Sequence, residues 1–223
     1  MIIAVDGPAG SGKSTIAKLV AKELGLLYID TGAMYRALTL KVIDCGVDPK
    51  DEDQVLELAK KTAIDLTPGA DGPIQVLLDG IDVSIAIREP RVTKHVSDIA
   101  KIKPVRDILV SLQKKLGAEK DSILDGRDIG TVVFPNADKK FFIDASFDER
   151  VDRRYKDLKV LDIQGVSRDQ VAADLKNRDT IDSTRIHSPL RKADDAVYLD
   201  TTQMSIDEVV KTVIFRIKSV TSR

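Results

Sequence analysis

A glycine-rich turn near the amino terminus has the spacing of a phosphate-binding loop. Gly7, Gly12, Lys13 and Ser14 match the pattern Gly-x-x-x-x-Gly-Lys-Ser. Glycines let backbone N–H groups converge on phosphate oxygens, because no Cβ stands in the way. Lys13 can reach the β- and γ-phosphates of a nucleotide, and Ser14 supplies a hydroxyl for Mg²⁺. The pattern therefore predicts a site for a nucleoside triphosphate.

The loop lies between two elements that suit this chemistry. Residues 2–5 form an apolar, β-branched run, and apolar residues at 3–4 spacing predict a helix over 13–24 that Gly25 ends. The amino terminus of that helix adds a positive field for an anion. Residues 26–29 predict a second strand. A strand–loop–helix–strand unit implies a parallel sheet with a right-handed crossover.

The rest of the chain alternates short strands with helices. Further strands are predicted over 122–124, 141–143 and 196–199. Helices are predicted over 33–43 (capped by Thr31-Gly32), 51–62, 104–116, 148–161 and 167–177, and from Ser205 onward. This alternation predicts a three-layer α/β/α fold with a five-stranded parallel sheet.

Two segments depart from the alternation. Between 63 and 89, short apolar runs are separated by the turn signals Pro68-Gly69, Asp71-Gly72-Pro73 and Asp79-Gly80, which predicts a small antiparallel insert. Gly165, between two charged helices, predicts the turn of a helical hairpin. We therefore expect one domain over 1–223, with a core over 1–62, 90–149 and 169–223, an insert over 63–89 and a helical lid over 150–168.

Composition excludes several classes of protein. With 43% hydrophobic and 32% charged residues, the chain is globular rather than fibrous or disordered. No apolar run approaches a membrane span, and the amino terminus lacks the basic region of a signal peptide. Cys45 is the single cysteine, so no internal disulfide forms, and a cytoplasmic location is expected. Cys45 is predicted to be a buried small hydrophobe, and His95 and His187 to be surface or packing residues.

Charge points to a local anionic ligand rather than an anionic polymer. The formal net charge is -1, which argues against nucleic acid as a partner. Yet eight of the 14 arginines lie between Arg127 and Arg191. Arginine binds phosphate and carboxylate oxygens through a planar fork, although such a cluster is also compatible with a solvated helix face. The guanine-reading motif of GTPases is absent, which favours a small-molecule kinase.

Four blocks, in this order, resemble bacterial cytidylate kinases. They are the phosphate-binding loop, Asp30-Thr31-Gly32-Ala33-Met34-Tyr35-Arg36, Asp125-Gly126-Arg127-Asp128-Ile129-Gly130-Thr131-Val132-Val133-Phe134-Pro135, and Arg178-Asp179-x-x-Asp182-Ser183-x-Arg185. Members of that family transfer a phosphoryl group from ATP to CMP or dCMP and carry an antiparallel insert. The resemblance covers essentially the whole chain and is weakest over 151–165.

The resemblance implies specific site residues. ATP would be bound by Gly7, Pro8, Ala9, Gly10, Ser11, Gly12, Lys13, Ser14 and Thr15, with Arg153 and Arg154 closing over it and Mg²⁺ on Ser14. The cytosine pocket would contain Thr31, Ser97, Arg106 and Asp128, and Tyr35 would also bind CMP. Arg36, Arg127 and Arg185 would bind the CMP phosphate, while Arg178 and Asp182 would lie near the sugar. Lys13, Arg127, Arg178 and Arg185 would be catalytic, and a monomer would suffice.

Two other functions stay open from the residues alone. One is a kinase for another small acceptor, such as UMP, dephospho-coenzyme A or shikimate. The other is a non-catalytic module that binds a nucleotide or RNA through the arginine cluster. Aromatic side chains that stack on bases would favour the second function, but aromatic residues make up only 4% of the chain.

Overall fold

A computed structural model describes residues 1–67, 75–160 and 167–219. Its centre is a five-stranded sheet, in which every pairing is parallel. The strands are β1 (Ile2–Asp6), β2 (Leu27–Asp30), β6 (Ser122–Gly126), β7 (Lys139–Asp144) and β8 (Val197–Asp200). The predicted five-stranded parallel sheet is confirmed, with each strand within three residues of its expected bounds.

The strand order is β2-β6-β1-β7-β8, with β1 in the middle. The chain moves to one side of β1 to form β2 and crosses to the other side between β6 and β7. Ligands of open parallel sheets bind beyond the carboxyl ends of the strands, next to such a change of direction. The loops that follow β1 and β6 therefore face the place where a substrate is expected.

Eight helices surround the sheets in the described part of the chain. They are α1 (Lys13–Leu24), α2 (Thr31–Asp44), α3 (Glu52–Lys60), α4 (Pro90–Ala100), α5 (Lys103–Ala118), α6 (Phe147–Val160), α7 (Arg168–Thr184) and α8 (Ile206–Lys218). A capping box at Ser205 starts α8, as a serine followed three residues later by glutamate favours.

Several helix boundaries differ from the sequence prediction. Thr31 lies inside α2 rather than capping it, because the Asp30 side chain accepts the Ala33 N–H and is the cap. Helix α5 continues through Gly117, where a Cβ would lie only 2.8 Å from the Phe134 ring. Helix α7 continues seven residues beyond its predicted end at 177, so its last residue is Thr184, next to Arg185.

The insert forms a separate antiparallel sheet. Its strands are β3 (Ile64–Thr67), β4 (Gln75–Leu78) and β5 (Ile81–Asp82), in that order. The turns expected at Pro68-Gly69 and Asp71-Gly72-Pro73, and the start of the run at Ile74, lie outside the described residues, as does the hairpin turn expected at Gly165. The predicted antiparallel insert is confirmed for the strands that the structure describes.

Apolar residues fill both faces of the central sheet. On one face Val5, Phe141 and Ile143 pack with α1 and α8. On the other, Ala4 and Leu124 pack with residues that include Ile129 and Val133. A larger cluster joins α2 to α3, α4, α5 and the insert. Two of these clusters, the one with α1 and α8 and the one around α2, combine residues that are distant in sequence. This packing fixes the strand ends from which the loops start.

Cys45 does not join the core, contrary to the prediction. It follows the last turn of α2, where the chain leaves the helix, and its side chain is exposed. The apolar residues around it misled the prediction, because they belong to the buried face of α2. No helix in residues 1–67, 75–160 and 167–219 is both long and apolar enough to cross a membrane.

Candidate active site

The loop of residues 7–12 joins the carboxyl end of β1 to the first turn of α1. A Cβ at Gly7 would lie 2.0 Å from the Ile143 carbonyl oxygen, so only glycine fits against β7 there. Gly12 has a φ of 86° and caps α1, a left-handed conformation that glycine adopts without strain. The loop thus turns its backbone toward the helix terminus, as an anion site requires. The predicted strand–loop–helix context is confirmed.

Lys13 is a buried cation that forms no hydrogen bond or ion pair with a carboxylate in residues 1–67, 75–160 and 167–219. Its side chain donates to the Pro8 carbonyl at 3.3 Å, and the residue is only 7% exposed. Burial, together with the positive charge of Arg127 and Arg178, lowers the pKa of Lys13 to about 7, against the opposing effect of Asp125. The structure therefore holds an ammonium group where its charge is costly unless an anion binds beside it.

Asp125, to which the sequence analysis assigned no role, contacts the phosphate-binding loop. Its carboxylate accepts the Ser14 hydroxyl and the Tyr28 hydroxyl, each at 2.6 Å. Asp125 is opposite Val5 in the pairing of β1 with β6, so the carboxylate lies at the same sheet edge as the loop. Burial and the nearby Asp30 raise its pKa. If the strand order of the sheet had been known, the pairing of the ends of β1 and β6 would have placed Asp125 beside the loop.

Asp6 links the two halves of the site. Its two carboxylate oxygens accept the N–H groups of Ile129 and Gly130, both at 2.8 Å. These residues begin a π-helical turn, Ile129–Val133, that follows Arg127 and Asp128 directly. Burial raises the pKa of Asp6 to about 6, although the two N–H groups oppose the shift. The last residue of β1 thereby orients the segment that carries two expected substrate ligands.

A pocket beside the loop gathers most of the residues expected to bind the acceptor nucleotide. It is lined by Thr31, Gly32, Tyr35, Val96, Ser97, Ala100, Arg106, Gly126, Arg127, Asp128, Arg178, Asp182 and Arg185. These residues come from α2, α4, α5, the end of β6 and α7, and nine of the ten expected acceptor ligands are among them. The tenth, Arg36, lies on α2 next to Tyr35 but does not line this pocket.

One end of the pocket is built around Asp128. Arg106 donates to Asp128 at 2.5 Å and to the Ala100 carbonyl at 2.9 Å, and its guanidinium lies over the Tyr35 ring. Burial lowers the pKa of Arg106, but Tyr35 and Asp128 raise it more, and the net shift is upward. Arg106, which sequence alone left as a possible surface charge, is thus a buried and oriented donor.

Asp182 orients the arginines at the middle of the pocket. Arg127 donates through Nε to Asp182 at 2.9 Å. Arg185 lies 3.9 Å from both Asp182 and Asp128, and its Nη2 has no hydrogen-bond partner in the described part of the chain. Burial raises the pKa of Asp182, but the cations of Arg127, Arg178 and Arg185 outweigh it, so the net pKa is lowered. Asp182 therefore stays ionised.

Arg178 and Arg36 have no such carboxylate partner in the part of the chain that the structure describes. The Nε atom of Arg178 is buried without a hydrogen-bond partner among the described residues, and burial, with the charge of Arg127, lowers its pKa to about 10. Arg36 donates to the Ile87 carbonyl and the Thr93 hydroxyl. Its pKa is also lowered, first by burial and then by the positive charge of Arg178 and Arg154.

Thr31 and Ser97 are both buried, as a role in a pocket requires. The Thr31 hydroxyl donates to the Asp125 carbonyl at 2.7 Å, so Thr31 fastens α2 to the end of β6. Ser97 lies on the buried face of α4, a helix not named among those predicted above although Val92, Val96 and Ile99 recur on that face at helical spacing. A serine on the buried face of α4 suits a role in the pocket. The sequence pattern alone could not distinguish this serine from a solvated one.

Arg153 and Arg154, the two expected lid residues, point in different directions. Arg153 donates to the Ser11 carbonyl at 3.2 Å and to both oxygens of Thr201. It therefore contacts the phosphate-binding loop directly. Arg154 faces the acceptor side, where burial lowers its pKa and Asp157 and Arg88 are its charged neighbours. In residues 1–67, 75–160 and 167–219, no group of three His, Cys, Asp or Glu side chains could hold a metal.

The chain is similar to curated proteins over nearly its full length. It is 47% identical to a cytidylate kinase from Fusobacterium nucleatum subsp. nucleatum, covering 99% of this chain and 98% of the relative. It is 50% identical to a cytidylate kinase from Desulforamulus reducens (95% and 94%) and 47% identical to one from Clostridioides difficile (97% and 98%).

Among solved structures, the shikimate kinase from Acinetobacter baumannii in complex with shikimate aligns with 100% of this chain and 95% of its own. The TM-score is 0.48 and the sequence identity 16%, too low to bear on function. The family model described as cytidylate kinase matches residues 3–219. This match and the identities of 47–50% extend over the loop, the insert and the acceptor pocket alike, and the chain therefore belongs to the cytidylate kinase family.

Proposed function

We propose that this chain transfers the γ-phosphoryl group of ATP to CMP or dCMP, forming CDP or dCDP. One observation carries the proposal: the buried Lys13 and the partly buried Arg127 and Arg178 bring positive charge together where the phosphate-binding loop meets the acceptor pocket. Arg127 lowers the pKa of both of the other cations. Such a concentration of positive charge is unfavourable in an empty site and matches the charge of two phosphorylated substrates that approach each other.

On the donor side, ATP binds through the loop of residues 7–15. Its backbone N–H groups and the amino terminus of α1 cradle the phosphates, and the buried Lys13 ammonium lies beside the β- and γ-phosphates. A bound anion restores the pKa of Lys13 toward its ordinary value, because opposite charge favours the protonated form. The same loop residues were expected from the resemblance, and they remain part of this proposal.

Ser14 and Asp125 fit a magnesium ion. Mg²⁺ prefers oxygen ligands and binds through one or two carboxylates together with substrate phosphates. The Ser14 hydroxyl and the Asp125 carboxylate are oxygen donors in mutual contact at 2.6 Å, at the loop where the phosphates lie. When bound, Mg²⁺ neutralises charge on the phosphate oxygens. Tyr28 holds Asp125 in place from the other side.

The Asp128 end of the pocket reads the cytosine base. Cytosine presents an amine donor beside ring-nitrogen and carbonyl acceptors. A carboxylate accepts from the amine, and an arginine donates to the acceptors. Asp128 and Arg106 are buried and mutually oriented for those tasks, with Thr31 and Ser97 nearby in the same pocket. Uracil, which has a carbonyl in place of the amine, leaves the Asp128 carboxylate facing an acceptor.

Arginines with capacity for further hydrogen bonds hold the acceptor phosphate. Arg127, Arg36 and Arg185 surround it, and Arg178, whose Nε has no hydrogen-bond partner among the described residues, also reaches the transferred phosphoryl group. Asp182 lies near the sugar and keeps Arg127 oriented. The CMP phosphate is close to a dianion at neutral pH, so it attacks the γ-phosphorus directly and no general base is required. These cations offset the repulsion between the two substrates.

Closure of the insert and the helical lid excludes water and so prevents hydrolysis of ATP. We propose that residues 63–89 and 150–168 serve as these moving parts of a single domain over 1–223, with the first residues of the lid, Arg150 and Val151, anchored against the loop. Arg153 and Arg154 both belong to the lid: Arg153 contacts the ATP loop through the Ser11 carbonyl, and Arg154 faces the acceptor side near Arg36. One chain supplies every ligand named above, which supports a monomer. A cytoplasmic location remains a prediction from the single cysteine.

Initial rates with ATP and four acceptors test the proposed function. CMP and dCMP should be phosphorylated rapidly, UMP more slowly and AMP at background. Equal rates for UMP and CMP, or turnover of AMP above CMP, would contradict the assigned base pocket. The product should be identified chromatographically as CDP together with ADP, because hydrolysis of ATP alone releases ADP as well.

A further inference from the structure

Ala9, inside the phosphate-binding loop, is held on both sides of its backbone by a pair of charged side chains. Arg150 on α6 donates through Nη1 to the Ala9 carbonyl at 3.0 Å. Asp179 on α7 accepts the Ala9 N–H at 3.4 Å. Arg150 and Asp179 also bind each other at 2.5 Å. The loop therefore contacts both helices of the hairpin through a single residue.

This ion pair differs from an ordinary surface contact. Its side chains are only 10% and 22% exposed, and Arg150 is further held by the Ala145 carbonyl at 3.2 Å. The same two helices carry a second pair, Arg168 with Asp152 at 2.7 Å, whose side chains are both 45% exposed. Exposed pairs contribute little to stability, whereas a buried pair that also binds backbone groups constrains what it touches.

The backbone of the loop approaches α6 closely at the same place. A Cβ at Gly10 would lie 2.8 Å from the Arg150 carbonyl oxygen, so glycine is required for the loop to approach the helix. Ala9 packs in an apolar cluster with Val151, Val171 and Leu175, which belong to α6 and α7. Hydrogen bonds, the ion pair and packing thus fix the position of residues 9 and 10 against the hairpin.

We infer that Arg150 and Asp179 are positioning residues that shape the phosphate-binding loop and align it with α7. Asp179 follows Arg178 directly, and Asp182 lies one turn further along the same helix. By holding Ala9, the pair keeps the donor phosphates at a set distance from the arginine that reaches the transferred group. The inference rests on the proposed function for its consequence in catalysis, but the effect on nucleotide binding follows from the loop alone.

Matched variants test this inference. Arg150→Met, Asp179→Asn and their combination are compared with Arg168→Met, Asp152→Asn and their combination, which remove the exposed pair from the same two helices. Binding of a non-hydrolysable ATP analogue with Mg²⁺ is measured by titration calorimetry, together with kcat and the KM values for ATP and CMP. Far-UV circular dichroism and a cooperative thermal transition confirm folding. If Arg150→Met does not fold, the near-isosteric Asp179→Asn carries the test.

We expect the variants of the buried pair to weaken binding of the ATP analogue at least fivefold and to lower kcat at least tenfold. The KM for CMP should stay within about threefold, and the double variant should lose less than the product of the two single losses. The exposed pair should change none of these quantities by more than twofold. Unchanged analogue affinity in Asp179→Asn, or an equal loss in the exposed-pair variants, would overturn the inference.

Failure of the inference and failure of the proposed function are distinguishable. Binding of the ATP analogue requires no acceptor, so it tests the positioning of the loop even if CMP is not the substrate. A wild-type chain that turns over CMP while Asp179→Asn binds the analogue normally would remove the positioning role alone. If the wild-type chain binds the analogue but does not phosphorylate CMP, and the variants lose analogue binding, only the proposed acceptor is wrong.

Discussion

The phosphate-binding loop and the acceptor pocket differ in how their positively charged side chains are paired. In the loop, Lys13 is buried against a backbone carbonyl, and no carboxylate of the described residues is in hydrogen-bond contact with it. In the pocket, Arg106 and Arg127 each bind an aspartate directly. The loop is one continuous segment held by glycines, whereas the pocket collects side chains from four helices and a strand end.

The difference separates affinity for phosphate from selectivity for a base. An arginine held by a carboxylate is fixed in direction, so it can distinguish one hydrogen-bonding edge from another. A cation without such a partner carries a charge that no carboxylate compensates. It therefore attracts a phosphate whatever base is attached to it. Lys13 and Arg178, whose pKa values are lowered to about 7 and about 10, are of the second kind. They lie where the two regions meet and where a phosphoryl group would pass.

Removal of the unpaired lysine should produce the largest loss. Lys13→Met keeps the apolar stem but removes the charge, and we expect kcat to fall by about a thousandfold, as for loss of a key electrostatic stabiliser. A coupled assay with ATP and CMP measures it. The thermal transition serves as control and should not fall, because the substitution removes a buried charge whose pKa burial has lowered. Turnover within tenfold of wild type would contradict the role of Lys13.

Arg178→Met should have the next largest effect and should act on kcat. We expect a fall of about a hundredfold in kcat with KM for CMP within about fivefold, since Arg178 acts on the group in transfer. Arg106→Met is the matched control from the paired class, and it should raise KM for CMP more than it lowers kcat. The same pattern of kcat and KM in both variants would remove the distinction between paired and unpaired arginines.

Asp128→Ala should reduce selectivity between bases. We expect kcat/KM to fall about thirtyfold for CMP and by less than about threefold for UMP, because only cytosine offers an amine to this carboxylate. Initial rates with both acceptors at matched concentrations measure the ratio. Equal losses for CMP and UMP would show that Asp128 only orients Arg106.

Proton uptake on nucleotide binding should give the smallest signal. Lys13 has a pKa of about 7 in the free chain, so it is largely neutral at pH 8, and a bound triphosphate raises its pKa and protonates it. Uptake of up to about one proton is therefore expected at pH 8 and little at pH 6, with affinity falling as pH rises from 7 to 9.

Calorimetry in two buffers of different ionisation enthalpy measures this uptake with the non-hydrolysable analogue and Mg²⁺. Lys13→Met should abolish the difference between buffers. Proton release at pH 8 in the wild-type chain, or unchanged uptake in the variant, would show that Lys13 is not the group that titrates.

The two regions also differ in how far sequence could predict them. The strand, the glycine-rich turn and the helix around the loop were predicted from sequence, because they are contiguous and the glycines have a local reason. The strands of the central sheet were predicted from apolar runs alone. Pocket residues such as Arg106 and Ser97 were expected only from the resemblance, since they are separated along the chain and pattern alone does not distinguish them from surface residues.

Asp6 and Asp125 were assigned no role from sequence, although both lie beside predicted motifs. Each acts through a partner more than a hundred residues away, Asp6 on Ile129 and Gly130 and Asp125 on Ser14. Their contacts follow from the order β2-β6-β1-β7-β8, which no local pattern specifies. The exposed Cys45 shows the same limit, because burial depends on neighbours that are distant in sequence.

The fate of a labelled phosphoryl group tests most directly the claim that donor and acceptor meet at Lys13, Arg127 and Arg178. ATP labelled in its γ-phosphate is incubated with the wild-type chain, Mg²⁺ and CMP, and the label is followed into CDP and inorganic phosphate. We predict that nearly all transferred label enters CDP and that little phosphate is released when CMP is omitted. Label that accumulates mainly as inorganic phosphate, with or without CMP, would contradict the account.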